Sequence, residues 1–220
     1  MLTIKQAKAK YGLHFTTDHN DKMEDLISVS TSPLCNHYCE IRKNNKNMVC
    51  SHCYSLTMQK RFKGLRERLI DNTAILCNGI IPEEDIPKLY SPSGYVREEA
   101  FGDIQNDIQV VNYFNFASYN PAVKVALWTK NPWIIAEAIE KYDLKKPENL
   151  KIIGSSYFLN KPMVKFYRQY SFIDNVFTVY TPEYVKEHGI KINCGGLSCR
   201  DCGKCYNGNH SNYEINELLK

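Results

Sequence analysis

Eight of the nine cysteines in this 220-residue chain fall into two short segments. Cys35, Cys39, Cys50 and Cys53 lie near one end, and Cys194, Cys199, Cys202 and Cys205 near the other. A disulfide scaffold spreads its cysteines along the chain, whereas tight sets with one stray residue, Cys77, point to metal ligation. The first residues, Met1 to Lys8, lack the apolar core of a secretory signal. No apolar run approaches the ~20 residues that span a bilayer. The expectation is a cytoplasmic protein with no membrane partner, in a reducing compartment that favours metal-bound or catalytic cysteines over disulfides.

Between the two sets, short apolar runs alternate with amphipathic stretches. The run Leu26–Ser30 leads into Cys35, and a helix is expected from about Leu65 to Leu76. A Pro/Ser-rich connection over 80–94 precedes a strand from Tyr95 to Phe101, which ends at Gly102-Asp103. A helix is expected over Asp107–Tyr119 and a strand over Val123–Trp128, with Asn131 capping the next helix and Pro132 in its first turn. Leu150–Gly154 and Val176–Tyr180 read as strands, Pro162–Tyr170 as a short helix, and Thr181-Pro182-Glu183 as the start of another.

Strands spaced by helices imply right-handed crossovers and a parallel sheet. The expected fold class is α/β: a partial (β/α) barrel or an open parallel sheet, with cysteine-rich metal-binding loops after the first strand and near the C-terminus. A single domain over 1–220 divides into an N-terminal extension (1–25), a β/α core (26–185) and a C-terminal cysteine-rich metal-binding segment (190–207). In either architecture the loops at the C-terminal ends of the strands line one edge. Those loops carry Cys35, Asp103, Lys130, Ser156 and Thr181.

In the first set, Cys35-x3-Cys39 and Cys50-x2-Cys53 are separated by a polar loop. Four thiolates so placed can bind one zinc tetrahedrally or the irons of a cluster. The second set is more diagnostic. Cys199, Cys202 and Cys205 follow one another at x2 intervals, resembling the closely spaced cysteines of bacterial ferredoxins. Gly195, Gly196 and Gly203 free the backbone to turn amides toward sulfur. An iron–sulfur cluster, 4Fe-4S foremost, is favoured, with zinc as the alternative. The spacing leaves open whether the two sets bind separate centres or share one.

Cys50-Ser51-His52-Cys53-Tyr54, Phe101-Gly102-Asp103-Ile104 and Trp128-Thr129-Lys130-Asn131-Pro132 resemble the phage family called gene product eighty-eight, over about residues 26–206. That resemblance implies a phage or mobile-element origin. The order of elements is also similar to radical S-adenosylmethionine enzymes, which have a cysteine loop after the first strand and a glycine- and carboxylate-bearing turn after the second. Gly102 and Asp103 stand at that turn. Cys35 and Cys39 match the first interval of that family's three-cysteine motif, while the third cysteine is displaced to Cys50 or Cys53.

Asp103 and Lys130 are therefore the candidate catalytic residues, and Gly102, Asp103, Ser155 and Ser156 the candidate cofactor-binding ones. Alternation along a strand would put Arg97, Glu99 and Phe101 on the side of Asp103, facing a cavity. Asp103 reads equally well as a helix cap. Cys77 reads as a small buried hydrophobe, and His37 and His52 either as surface residues or as groups that replace a cysteine ligand or hydrogen-bond the cluster. The run Lys60–Arg68 has a basic character that suits phosphate contacts or a solvated helix start. The formal charge of +4 permits a nucleic-acid partner without demanding one. Two functions follow: an iron–sulfur enzyme resembling the radical S-adenosylmethionine class, with a small-molecule substrate or electron donor as partner, or a non-catalytic binding module stabilised by zinc or an iron–sulfur cluster.

Overall fold

A computed structural model describes residues 1–17, 21–207 and 213–219. The chain opens with β1 (Leu2–Thr3) and α1 (Ile4–Tyr11). Thr3 and Gln6 form a reciprocal capping box on α1, and Gly12 ends it at φ 78°. β2 (Thr16–Thr17), β3 (Ile27–Val29) and α2 (His37–Lys43) follow, then α3 (Tyr54–Arg61) and α4 (Lys63–Leu76). The middle of the chain holds β4 (Pro87–Lys88), β5 (Tyr95–Glu98), α5 (Asp107–Ser118), β6 (Lys124–Thr129) and α6 (Pro132–Tyr142). The last part contains β7 (Leu150–Ser155), α7 (Val164–Tyr167), β8 (Asn175–Tyr180), α8 (Pro182–His188), α9 (Cys199–Cys202) and β9 (Glu214–Leu218).

Seven strands form one sheet in the order β2-β3-β5-β6-β7-β8-β9, and β1 pairs separately with β4. β2 runs antiparallel to β3, and every other neighbour in the large sheet is parallel. The strands lie side by side in chain order, as in a (β/α) barrel, but among the described residues the sheet does not close. Its two margins nevertheless approach each other. Lys22, just before β3, forms an ion pair with Glu217 on β9, and Arg200 Nη1 lies 2.8 Å from Asp25 Oδ2.

Alternation along the strands sorts side chains onto two faces. Val96, Val125, Leu127, Ile152 and Val176 pack against Val110, Phe114, Ile135 and Ala138 of the helices in the main core. On the other face Leu26, Ala126 and Tyr206 form a smaller cluster with Met23, Tyr95, Trp128, Cys199 and Cys205. The C-terminal cysteine segment thus lies on the face of the sheet opposite the main core. Among the described residues no helix is long and apolar enough to cross a membrane.

Several expectations are corrected. The strand expected over Tyr95–Phe101 stops at Glu98, because Glu99 adopts φ 58° and breaks the alternation. Glu99 therefore leaves the side of Arg97 and points to Thr31, Gln109 and Tyr113. Asn131 precedes α6 but makes no side-chain cap; its amide bonds Arg42 and the carbonyl of Ile104 instead. The short helix expected over Pro162–Tyr170 is confined to Val164–Tyr167. The segment read as an N-terminal extension places Ala7 and Leu13 in the main core and supplies β2 to the sheet.

Candidate functional site

The first cysteine set hangs from the loop after β3. Cys35 sits in a turn, its N–H donating to Ser32 O at 3.1 Å, and is exposed. Asn36 caps α2 by accepting from the N–H groups of Tyr38 and Cys39 at 3.0 and 3.3 Å. Its own amide donates to Asp103 O at 2.9 Å, anchoring the helix that carries Cys39. The loop then returns against the turn after β7, with Val49 N–H donating to Tyr157 O at 2.8 Å, and this places Cys50. Cys53 immediately precedes α3.

Burial pushes the Cys39 thiol well up, with Asp103 and Cys50 adding to the effect and Lys130 and Arg42 opposing it. Cys39, Cys50, Asp103 and Lys130 therefore share one neighbourhood. Burial also works against the charge of Lys130, but Cys50 and Asp103 beside it hold its pKa above the ordinary value. Cys35 lies toward Cys77, which is buried, accepts from Gln105 Nε2 at 3.0 Å and has its thiol pushed up to about 12 by burial.

Asp103 is the hub of this rim. Its carboxylate accepts from Thr129 Oγ1 at 2.8 Å, from Ile104 N–H at 2.9 Å and from Lys130 N–H at 3.1 and 3.2 Å. Arg42, buried on α2, reaches it at 3.3 Å while also donating to Asn131. The guanidinium of Arg42 lies 5.0 Å from the Tyr157 ring centroid, and Tyr157 donates to Lys130 O at 2.7 Å. With its oxygens taken by protein donors, Asp103 ties three loops together.

Gly102 is equally committed. A Cβ there would stand 2.5 Å from Glu99 Oε2 and 2.5 Å from Thr31 O, so glycine is needed for close approach within the protein. Ser156 shares a hydrogen bond with Thr178 Oγ1 at 3.0 Å and accepts from Met163 N–H at 3.2 Å. Ser155 is buried, and its carbonyl accepts from Tyr167 at 2.6 Å.

The second set is more compact. Cys194, Cys199, Cys202 and Cys205 all line one cavity, together with Lys22 and Tyr206. Ser198 caps α9, accepting from Asp201 N–H at 3.1 Å, and Gly203 ends it at φ 59°. Gly195 and Gly196, at φ 128° and 86°, let the chain turn between Cys194 and Cys199. Lys22 Nζ lies 3.2 Å from Cys194 Sγ. Burial opposes the Lys22 charge, yet the hydrogen bond to Glu217 and the nearby Cys194 raise its pKa.

Arg97, on β5, has its guanidinium 4.1 Å from the Trp128 ring centroid. Among the described residues its buried Nε has no hydrogen-bond partner, and Nη1 reaches Met23 Sδ at 3.5 Å. Burial pushes the Cys205 thiol up to about 12, while Arg97 pulls it down. Cys199 is raised by burial in the same way and lowered by Arg97 and Lys22. The Tyr206 ring stacks on Tyr95, with centroids 4.4 Å apart.

All nine cysteines are free thiols. Among the described residues no group of three or more His, Cys, Asp or Glu side chains is arranged to hold one metal ion. A single tetrahedral zinc would draw four sulfurs to about 3.8 Å from one another. Thiolates bound to different irons of a cluster stand farther apart than that. The cations fit the same chemistry. Each set has two beside it, Arg42 and Lys130 for the first and Lys22 and Arg97 for the second, and a metal–thiolate centre carries the negative charge that such residues balance.

Arg42, Lys22, Tyr206 and Glu98 went unnoticed in the sequence as site-forming groups, and Glu99 was expected on the side of Arg97. Glu98 is fully buried, neither of its oxygens has a partner, and burial drives its pKa well up. Two adjacent carboxylates in an otherwise strand-like run were the one available signal. No protein-family model, curated protein or solved structure matches this chain.

Proposed function

We propose that this chain is an iron–sulfur protein of phage or mobile-element type, with a cluster held by Cys194, Cys199, Cys202 and Cys205 on the face of an open β/α sheet opposite the main core. The observation that carries the reading is the shared cavity of these four thiols, with Arg97 acting on Cys199 and Cys205 and Lys22 Nζ beside Cys194. A cluster bound there would supply one-electron chemistry; the chain's own part is to provide thiolates, balance their charge and shield them with Tyr206. The first set supplies a second ligand group drawn from Cys35, Cys39, Cys50 and Cys53. The mobile-element origin rests on the sequence resemblance to the gene product eighty-eight family alone.

A second reading, a zinc-stabilised binding module without catalysis, is favoured by the occupation of Asp103, Gly102 and Ser156 by internal contacts. Those contacts leave Gly102 and Asp103 without a free group for S-adenosylmethionine, so the radical S-adenosylmethionine assignment rests on element order alone.

Anaerobic purification followed by iron, acid-labile sulfide and zinc analysis separates the two. Iron with sulfide, lost on Cys199→Ala with Cys202→Ala, is the expected result. Zinc without sulfide establishes the module instead, and a metal-free protein with no affinity for either defeats both. A change in the electron paramagnetic resonance of the reduced protein on adding S-adenosylmethionine would restore the radical assignment.

A further inference from the structure

The chain's charge is concentrated in one place. Lys60, Arg61, Lys63, Arg66 and Arg68, offset only by Glu67, give residues 60–68 a net +4, which equals the formal charge of the whole protein. The rest of the chain is balanced. This segment is the elbow where α3 ends and α4 begins, and Lys60, Arg61, Phe62 and Lys63 are all exposed there. Of the five cations only Lys63 is ion-paired among the described residues, to Glu67 at 3.6 Å, on the same exposed helix surface.

Phe62 is the second observation. Its N–H donates to Met58 O at 2.9 Å and its carbonyl accepts from Arg66 N–H at 3.1 Å, so its backbone closes one helix and opens the next. The side chain leaves that fixed point for solvent and is 52% exposed, outside both hydrophobic clusters. About half of a large apolar ring is thus left in water, directly beside Lys60 and Arg61, which are not ion-paired among the described residues.

We propose that the α3–α4 elbow is a contact surface for single-stranded nucleic acid, with Lys60, Arg61 and Lys63 on the phosphates and Phe62 stacked on a base. Clustered cations give affinity through counterion release, and one ring is enough to accept an unstacked base whatever its identity. A stacked duplex offers no free base face to Phe62. An acidic peptide has no use for the ring, and an anionic membrane would call for a broader apolar face than this elbow presents.

The test uses the full chain as purified and fluorescence anisotropy with a labelled single-stranded DNA oligonucleotide of mixed sequence. The duplex of the same sequence, polyglutamate and phosphatidylserine vesicles serve as competitors. Replacing Lys60, Arg61 and Lys63 together by Gln should reduce the slope of log affinity against log salt by about 2, from about 0.7 per phosphate contact on single strands. Phe62→Ala should weaken binding about five- to a hundredfold at fixed salt and leave that slope unchanged. All four residues are exposed, so the unfolding midpoint should not move; if the triple variant is destabilised, Lys60→Gln alone should still lower the slope by about 0.7. Absence of binding at low salt, an unchanged slope, an indifferent Phe62→Ala, or preferential binding to polyglutamate or vesicles would each overturn the proposal. None of these readouts depends on which metal the cysteines bind.

Discussion

Arg42→Met tests whether the rim is held together by one buried ion pair. The substitution keeps most of the side-chain stem and removes the charge. The side chains of Arg42 and Asp103 are 8% and 6% exposed, so little solvent can replace the lost partner. Removing one member of such a pair usually costs about 3–5 kcal/mol, because the remaining charge is stranded. Asp103 would still accept from Thr129, Ile104 and Lys130, which places the loss near the low end, at about 3 kcal/mol. Urea unfolding followed by circular dichroism measures it. If stranding is the mechanism, Asp103→Asn in the Arg42→Met background should recover about 1 kcal/mol or more, a coupling that a double-mutant cycle isolates. A single variant within about 1 kcal/mol of the parent, or strictly additive losses in the cycle, would refute the argument. The same change should loosen α2, which carries Cys39, and lower any metal content of the first set while sparing the second.

Glu99 makes stability depend on pH. Burial, opposed by hydrogen bonds from Tyr113 and Thr31, raises its pKa from 4.5 to about 7. The folded state thus holds the proton more tightly than the unfolded one. Its contribution is complete below about pH 4.5 and is lost as the pH climbs through about 7, a change of about 3 kcal/mol. Glu99→Gln should flatten that part of the profile in urea midpoints taken at pH 5 and 8, and an unaltered profile would rule the assignment out. Glu98→Leu should raise the thermal midpoint, since it replaces a buried carboxyl with two partnerless oxygens, a defect of about 1–3 kcal/mol; a lower midpoint would count against this. If the second set holds a cluster, Arg97→Met should make it harder to reduce, lowering the reduced-to-oxidised ratio about tenfold at fixed potential, ~59 mV for one electron. Arg97→Lys should retain most of the parent value, and equal potentials in all three proteins would dismiss the role of Arg97.

The elements between the cysteine sets were legible because their periods are distinct. Val125 and Leu127 alternate with Ala126 and Trp128, and Ile135 and Ala138 recur at helical spacing. The parallel direction of the strands followed from the helices between them, while their order did not. The short pieces were not legible: β1 and β4 are two residues each, and β9, Glu-Ile-Asn-Glu-Leu, has few strand-forming residues. Asp103 shows a different limit. Its neighbours suggested a cavity wall or a helix cap, but Asn106 caps α5 by accepting from Gln109 N–H at 3.0 Å, and Asp103 instead meets Arg42, 61 residues away. No local pattern encodes such a meeting. The left-handed turn at Glu99, which decides where both acidic side chains point, is likewise imposed by Thr31, Gln109 and Tyr113 from outside the strand.

Lys22–Glu217 and Arg200–Asp25 fasten the two margins of the sheet with charge where a closed barrel would use a backbone ladder. The partners are 195 and 175 residues apart, so this clasp comes late in folding, after the intervening strands have shortened the loop between them. It also yields to ionic strength sooner than the strands beside it, which makes this seam the natural place for the molecule to breathe. Because Lys22 touches Cys194 as well, whatever grips that sulfur also tightens the clasp, and a protein with its second cysteine set engaged should exchange the amide hydrogens of β9 more slowly.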